Sequence, residues 1–204
     1  MIEYTVIGKA EIGKSDELAE SFLKACKKKK VIALTSERPH EGKSTTSQML
    51  AESIGKSGKN VLLVDADMRA KGGNYRRAGI IHNRFEEKGF LDYARKVGAY
   101  TLVVPRVYGV PPEVVIKSEK FDEMLKTAKK EYDVVLVDLP PVYVESDAVN
   151  VCAKTDGVVV VRSSGNEHFG KVIEESGIEN IIGVIETDAR SGFIGGRRWQ
   201  LSRA

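Results

Sequence analysis

The stretch Ser36-Glu37-Arg38-Pro39-His40-Glu41-Gly42-Lys43-Ser44-Thr45 carries residue types that bind a polyphosphate. It follows the apolar run 31–35 and opens a segment in which Thr46, Met49, Leu50, Ser53 and Ile54 share one helical face. A strand, a turn and a helix N-terminus in that order aim successive backbone N–H groups at phosphate oxygens. Lys43 is placed to reach the β- and γ-phosphates, Ser44 to offer its hydroxyl to Mg²⁺, and Thr45 to lie near the α-phosphate. The loop departs from the pattern G-x-x-x-x-G-K-[ST], because Glu37 stands at the first glycine position. Taken alone, Gly-Lys-Ser-Thr reads equally as a helix start capped by Ser44.

Two acidic strand ends separate these readings. Val61-Leu62-Leu63-Val64-Asp65-Ala66-Asp67-Met68-Arg69 is an apolar run that ends in two carboxylates. Val134-Val135-Leu136-Val137-Asp138-Leu139-Pro140-Pro141 is a second, ending in one carboxylate and a stiff proline pair. Right-handed crossovers bring the carboxyl ends of such strands to one sheet edge, where ligands of these sheets sit. Carboxylates beside a polyphosphate repel it unless a cation lies between them. Asp65 and Asp138 therefore point to a magnesium site shared with Ser44, and Asp67 to a proton acceptor.

These groups must be held by a sheet. Runs 31–35, 61–64, 100–105, 134–137, 157–161 and 181–185 are short and nearly continuously apolar, as in strands buried on both faces. Helical patterns fall between them, including 16–27 and a face of Phe121, Met124, Leu125 and Ala128. The alternation predicts an α/β fold, a doubly wound, mostly parallel sheet flanked by helices. The run 4–7 is expected as an edge strand. Residues 1–190 read as a single domain with an N-terminal helix, and the Gly- and Arg-rich stretch 191–204 as a poorly ordered tail.

Composition narrows the class. A chain of 204 residues buries roughly 70% of its unfolded surface and needs no disulfide to hold a core. Its two cysteines, Cys26 and Cys152, lie far apart and in no metal-ligand spacing, which fits a reducing, cytoplasmic setting and excludes an iron–sulfur carrier. No secretory signal pattern or membrane-spanning run is expected from the sequence. A formal charge of +3 is too mild to argue for nucleic acid. The clusters Lys27-Lys28-Lys29-Lys30 and Arg197-Arg198 read as solvated surface patches.

On these motifs the chain resembles the bacterial tyrosine kinases of capsular and exopolysaccharide biosynthesis, P-loop proteins related to the chromosome-partitioning ATPases. The likeness rests on residues 35–45 as Walker A, 61–69 as Walker A′ and 134–141 as Walker B. Further matches are Gly109-Val110-Pro111-Pro112-Glu113, Ser118, Ser146-Asp147-Ala148, Asp156-Gly157 and Val160-Val161-Arg162. The resemblance implies ATP and Mg²⁺ as cofactors, with Lys43, Asp65 and Asp67 catalytic. It implies Glu41, Gly42, Lys43, Ser44, Thr45 and Arg162 around the nucleotide, and Ser44, Asp65 and Asp138 on the metal. Its implied partners are a membrane-embedded polysaccharide chain-length regulator that activates the kinase, protein tyrosine substrates and further copies of the chain. A cytoplasmic protein recruited by a partner to the inner face of the plasma membrane follows. A partition-type ATPase switch that dimerises on ATP, or a non-catalytic nucleotide-binding regulator of an export complex, are the alternatives.

Several positions depart from the family pattern. The last tyrosine is Tyr143, so a C-terminal tyrosine cluster is absent. The family's Glu-x-x-Arg-x-x-Arg helix becomes Glu20, Leu23 and Cys26, the last two read as facing the core. His40 occupies a loop position that often holds glycine. Arg38 stands where the partitioning ATPases carry a second lysine that reaches across a dimer.

Overall fold

The computed structural model describes residues 4–11, 13–68, 88–143, 146–164 and 170–188, without the side chains of residues 144–147. Arg69, the side chains of Ser146 and Asp147, and the tail 191–204 lie outside the described residues. Among the described residues eight strands form one sheet: β1 (Val6–Ala10), β2 (Val31–Ser36), β3 (Val61–Asp65), β4 (Arg95–Val97), β5 (Tyr100–Val103), β6 (Val134–Asp138), β7 (Gly157–Ser163) and β8 (Ile181–Thr187). Their order is β1-β8-β7-β2-β6-β3-β5-β4. Every pairing is parallel except that of β4 with β5. The helices are α1 (Ser15–Cys26), α2 (Lys43–Lys56), α3 (Pro112–Ile116), α4 (Glu119–Glu131), α5 (Ser146–Cys152) and α6 (Lys171–Ser176).

The central strands β2, β3 and β6 are buried at every residue, so both faces must be covered. Alternate side chains divide the core. Ile32, Leu34, Leu63 and Leu136 pack with Leu18, Ala19 and Phe22 of α1 and with Leu50, Ala51 and Ile54 of α2. Ala33, Leu62, Val64, Val135 and Val137 pack on the other face with Phe121, Met124 and Ala128 of α4, Val151 of α5 and Ile173 of α6. The face expected for α4 is buried in full. On α2, Thr46, Leu50, Ser53 and Ile54 are buried and Met49 is half-buried.

The sequence expectation differs at the margins. The edge strand starts two residues later than the run 4–7 and pairs with β8. The third run ends at Val103, because beyond it Arg106 N–H turns back to the Val104 carbonyl. Strand β4 was not expected: Arg-Lys-Val is short and polar, and its antiparallel pairing with β5 is what makes it a strand. In α1 the buried anchors are Leu18, Ala19, Phe22 and Cys26, whereas Leu23 is only partly covered.

Candidate active site

The sheet brings the carboxyl ends of β2, β3 and β6 together. Backbone bonds lace them: Leu139 N–H to the Leu34 carbonyl (2.9 Å), Ala66 N–H to Asp138 (2.9 Å) and Val142 N–H to Ser36 (2.8 Å). The Thr35 hydroxyl donates to the Pro140 carbonyl at 2.8 Å. Asp65 and Asp138 are register partners, so both acidic strand ends lie at one level.

The loop from Glu37 to Gly42 leads into α2. Gly42 caps that helix with φ 84°, and a Cβ there would approach Thr187 Cγ2 to 3.2 Å. Position 42 thus needs glycine for its backbone and for its neighbour. The Thr187 hydroxyl donates to the Glu41 carbonyl at 2.9 Å, fastening β8 to the loop. Glu41 accepts from Arg38 N–H at 3.0 Å, so its carboxylate braces the turn. His40 adopts φ 66°, the left-handed conformation that glycine takes at lower cost.

Glu37 is the residue whose role sequence reasoning missed. Its buried carboxylate reaches the start of α6 and accepts from the N–H groups of Gly170 (2.8 Å), Val172 (3.1 Å) and Ile173 (3.3 Å). The side chain that displaces the standard loop glycine thus satisfies otherwise unpaired helix donors. An acidic residue in an otherwise glycine position was the signal available, but its partners lie over 130 residues away.

The Lys43 ammonium is buried among acceptors. It lies 3.0 Å from Asp67 Oδ2, 3.5 Å from Asp138 Oδ1 and 3.4 Å from the Ser44 hydroxyl. Burial pulls its pKa down, but the Asp138 and Asp67 charges and their hydrogen bonds outweigh that and leave it above the usual lysine value. Asp65 accepts Asp67 N–H at 3.2 Å. Burial, then the charges of Asp138 and Asp67, push its carboxyl up to about 8. Asp138 is fully buried 3.5 Å from the Lys43 ammonium, and burial raises its pKa against the pull of Lys43.

Two buried carboxylates at register-paired strand ends, close to the Ser44 hydroxyl, fit a divalent cation. Among the described residues no three carboxylates, histidines or cysteines converge on one point. Mg²⁺ takes one or two carboxylates and completes its shell with water and phosphate. Ser44 is half-buried and Thr45 exposed at the start of α2. Lys43, Ser44, Asp65, Asp67 and Asp138 are thus gathered at one edge. Arg162 lies at the end of β7, its Nε donating to Glu186 of β8 at 3.2 Å and its carbonyl accepting from the Thr187 hydroxyl at 3.3 Å. A cavity of about 550 Å³ is lined by Met68, Arg106, Tyr108 and Pro111.

Comparison with known proteins places this geometry. The family described as ATPase MipZ matches residues 30–162. The tyrosine-protein kinase CpsD of Streptococcus agalactiae is 31% identical over 179 residues, covering 78% of this chain and 75% of that protein. The BceF tyrosine kinase domain superposes with a TM-score of 0.69 at 27% identity, over 85% of this chain and 75% of that one. The septum site-determining protein MinD of Pyrococcus horikoshii, solved with Mg-ADP, shares the fold with a TM-score of 0.54 at 19% identity, over 77% and 69%. The chain belongs to the bacterial tyrosine-protein kinases and matches the family described as ATPase MipZ over most of its length.

Proposed function

We propose that this protein transfers the γ-phosphoryl group of ATP to protein tyrosines and so regulates capsular or exopolysaccharide synthesis and export. The observation that carries the reading is the buried Lys43 ammonium between Asp67 and Asp138, at the sheet edge where the loop meets α2. Backbone N–H groups of the loop and the start of α2 hold the phosphates. Lys43 exchanges its carboxylate partners for phosphate oxygens. Ser44 and Asp138, with Asp65, would hold Mg²⁺, which neutralises charge on the transferring group. Release from Lys43 leaves Asp67 to orient the tyrosine hydroxyl and take its proton. A phenol has a pKa of about 10, so positioning rather than ground-state basicity carries the step. The acceptor approaches along the cavity lined by Met68 and Arg106.

The activating partner in this reading is a membrane-embedded chain-length regulator, which recruits a cytoplasmic kinase to the inner face of the membrane. Copies of the chain associate on the nucleotide. The match to a MipZ-type ATPase favours a second reading, an ATP-driven dimerisation switch. Arg38 bears on it: its side chain is exposed while its backbone is held by Glu41 and Ser36, a placement from which it can reach a partner's nucleotide. Incubation with labelled Mg·ATP and a glutamate–tyrosine copolymer tests the choice. Labelled copolymer, abolished by Lys43→Met, is expected; phosphate release with unlabelled copolymer supports the switch.

A further inference from the structure

At the opposite edge of the sheet the lysine cluster is not a uniform solvated patch. Lys27 has φ 48° and ψ −114°, and Lys29 N–H closes the turn onto the Cys26 carbonyl at 3.0 Å. This is a type II′ turn with lysine at the position that glycine fills without strain. The turn rims a concavity of about 180 Å³ with Phe22, Ile32 and Val134 in its floor and Lys59 on its far side. Lys29 and Lys30 are committed to carbonyls, of Asp156 (2.6 Å) and of Lys129 and Tyr132 (3.2 and 3.3 Å). The side chains of Lys27, Lys28 and Lys59 are exposed and make no ion pair or hydrogen bond among the described residues. The carboxylate that shares the concavity, Asp133, accepts Asn60 N–H at 2.8 Å.

We infer that Lys27, Lys28 and Lys59 form a docking surface for the phosphate headgroups of an anionic lipid bilayer. The free ammonium groups come from the loops before β2 and β3, which flank β6 in one parallel sheet, so they share a level. Such an array matches a plane of phosphates. The concavity has room for a single tetrahedral oxyanion and its water, not for an extended acidic peptide. The lysines also offset the carbonyl ends of α1 and α2, but Lys28 serves that end without a strained backbone at Lys27. Docked this way, the protein turns its nucleotide edge away from the bilayer by the length of the central strands, roughly 20 Å. The surface is independent of the kinase reading and of any recruiting protein.

The test is flotation of the full chain with vesicles of phosphatidylcholine alone or mixed with phosphatidylglycerol. The protein should float with the anionic vesicles only. Each lysine contributes roughly five-fold, so Lys27→Gln/Lys28→Gln/Lys59→Gln should weaken binding on the order of 100-fold, with ATP binding unchanged as the check on folding. Changing the tail arginines Arg197, Arg198 and Arg203 to Gln should leave the lysine-dependent binding in place. No binding to anionic vesicles at low salt overturns the proposal, as does equal binding by the lysine variant. Lysine-dependent binding of inorganic phosphate or polyglutamate, without vesicle binding, also overturns it by assigning the surface to a soluble anion or an acidic protein.

Discussion

Asp65→Asn should stabilise the ligand-free protein while disabling it. The Asp65 carboxyl rises from 3.8 to about 8 on folding, first through burial and then through the Asp138 and Asp67 charges. The folded state therefore binds this proton more tightly than the unfolded chain does. Its contribution is fully present below about pH 4 and is lost as pH climbs through 8. A rise of that size corresponds to about 6 kcal/mol. Lys43, Asp67 and Asp138 share the charge, so a net cost of about 2–3 kcal/mol at pH 8 is the working figure. For a chain of this length that is a Tm difference of roughly 5–10 °C. The assay is thermal unfolding of wild type and variant between pH 5 and pH 8, with and without Mg·ATP. Ligand-free wild type should lose stability across that range, and the variant should show a flatter profile and melt higher at pH 8. Mg·ATP should stabilise wild type and leave the variant nearly unmoved. A variant that melts lower than wild type at pH 8, or one with an unchanged slope, refutes the reasoning.

Other substitutions probe the loop. His40→Gly relieves a left-handed backbone at an exposed position and should stabilise by about 1 kcal/mol in thermal unfolding, with turnover unchanged. Glu37→Gln keeps the reach but not the charge at three helix donors, and should cost about 1–2 kcal/mol. Glu37→Gly, which restores the usual loop residue, should cost more and expose the amides of Gly170, Val172 and Ile173 to hydrogen exchange. Gly42→Ala strains the cap and presses on Thr187, so ATP affinity should fall at least ten-fold by calorimetry, about 1.4 kcal/mol.

The parts of the site legible in the sequence are those set by local pattern. Strands β2, β3 and β6 are buried on both faces, so their apolar runs are unbroken, and the aspartates that end β3 and β6 stand out. Gly42-Lys43-Ser44-Thr45 is a contiguous strand-to-helix signal. The illegible parts depend on distant partners. Glu37 gains its meaning from the amides of α6, and Thr187 from the Glu41 carbonyl. The Arg162 guanidinium pairs with Glu186 one strand over, a contact that only the β7–β8 register reveals. The run Lys27-Lys28-Lys29-Lys30 looked uniform, but the chain bends at Lys27 and ties down Lys29 and Lys30, leaving their neighbours outward.

The most direct test of phosphoryl transfer at this site is single-turnover phosphorylation of a tyrosine peptide beside its phenylalanine twin. Products are mapped by mass spectrometry for wild type, Asp67→Asn and Lys43→Met. Wild type should form phosphotyrosine on the tyrosine peptide only, Asp67→Asn should form it at least 100-fold more slowly, and Lys43→Met should form none. Undiminished phosphotyrosine from Asp67→Asn, or ATP consumption by wild type without phosphotyrosine in either the peptide or the protein, would contradict phosphoryl transfer at this site.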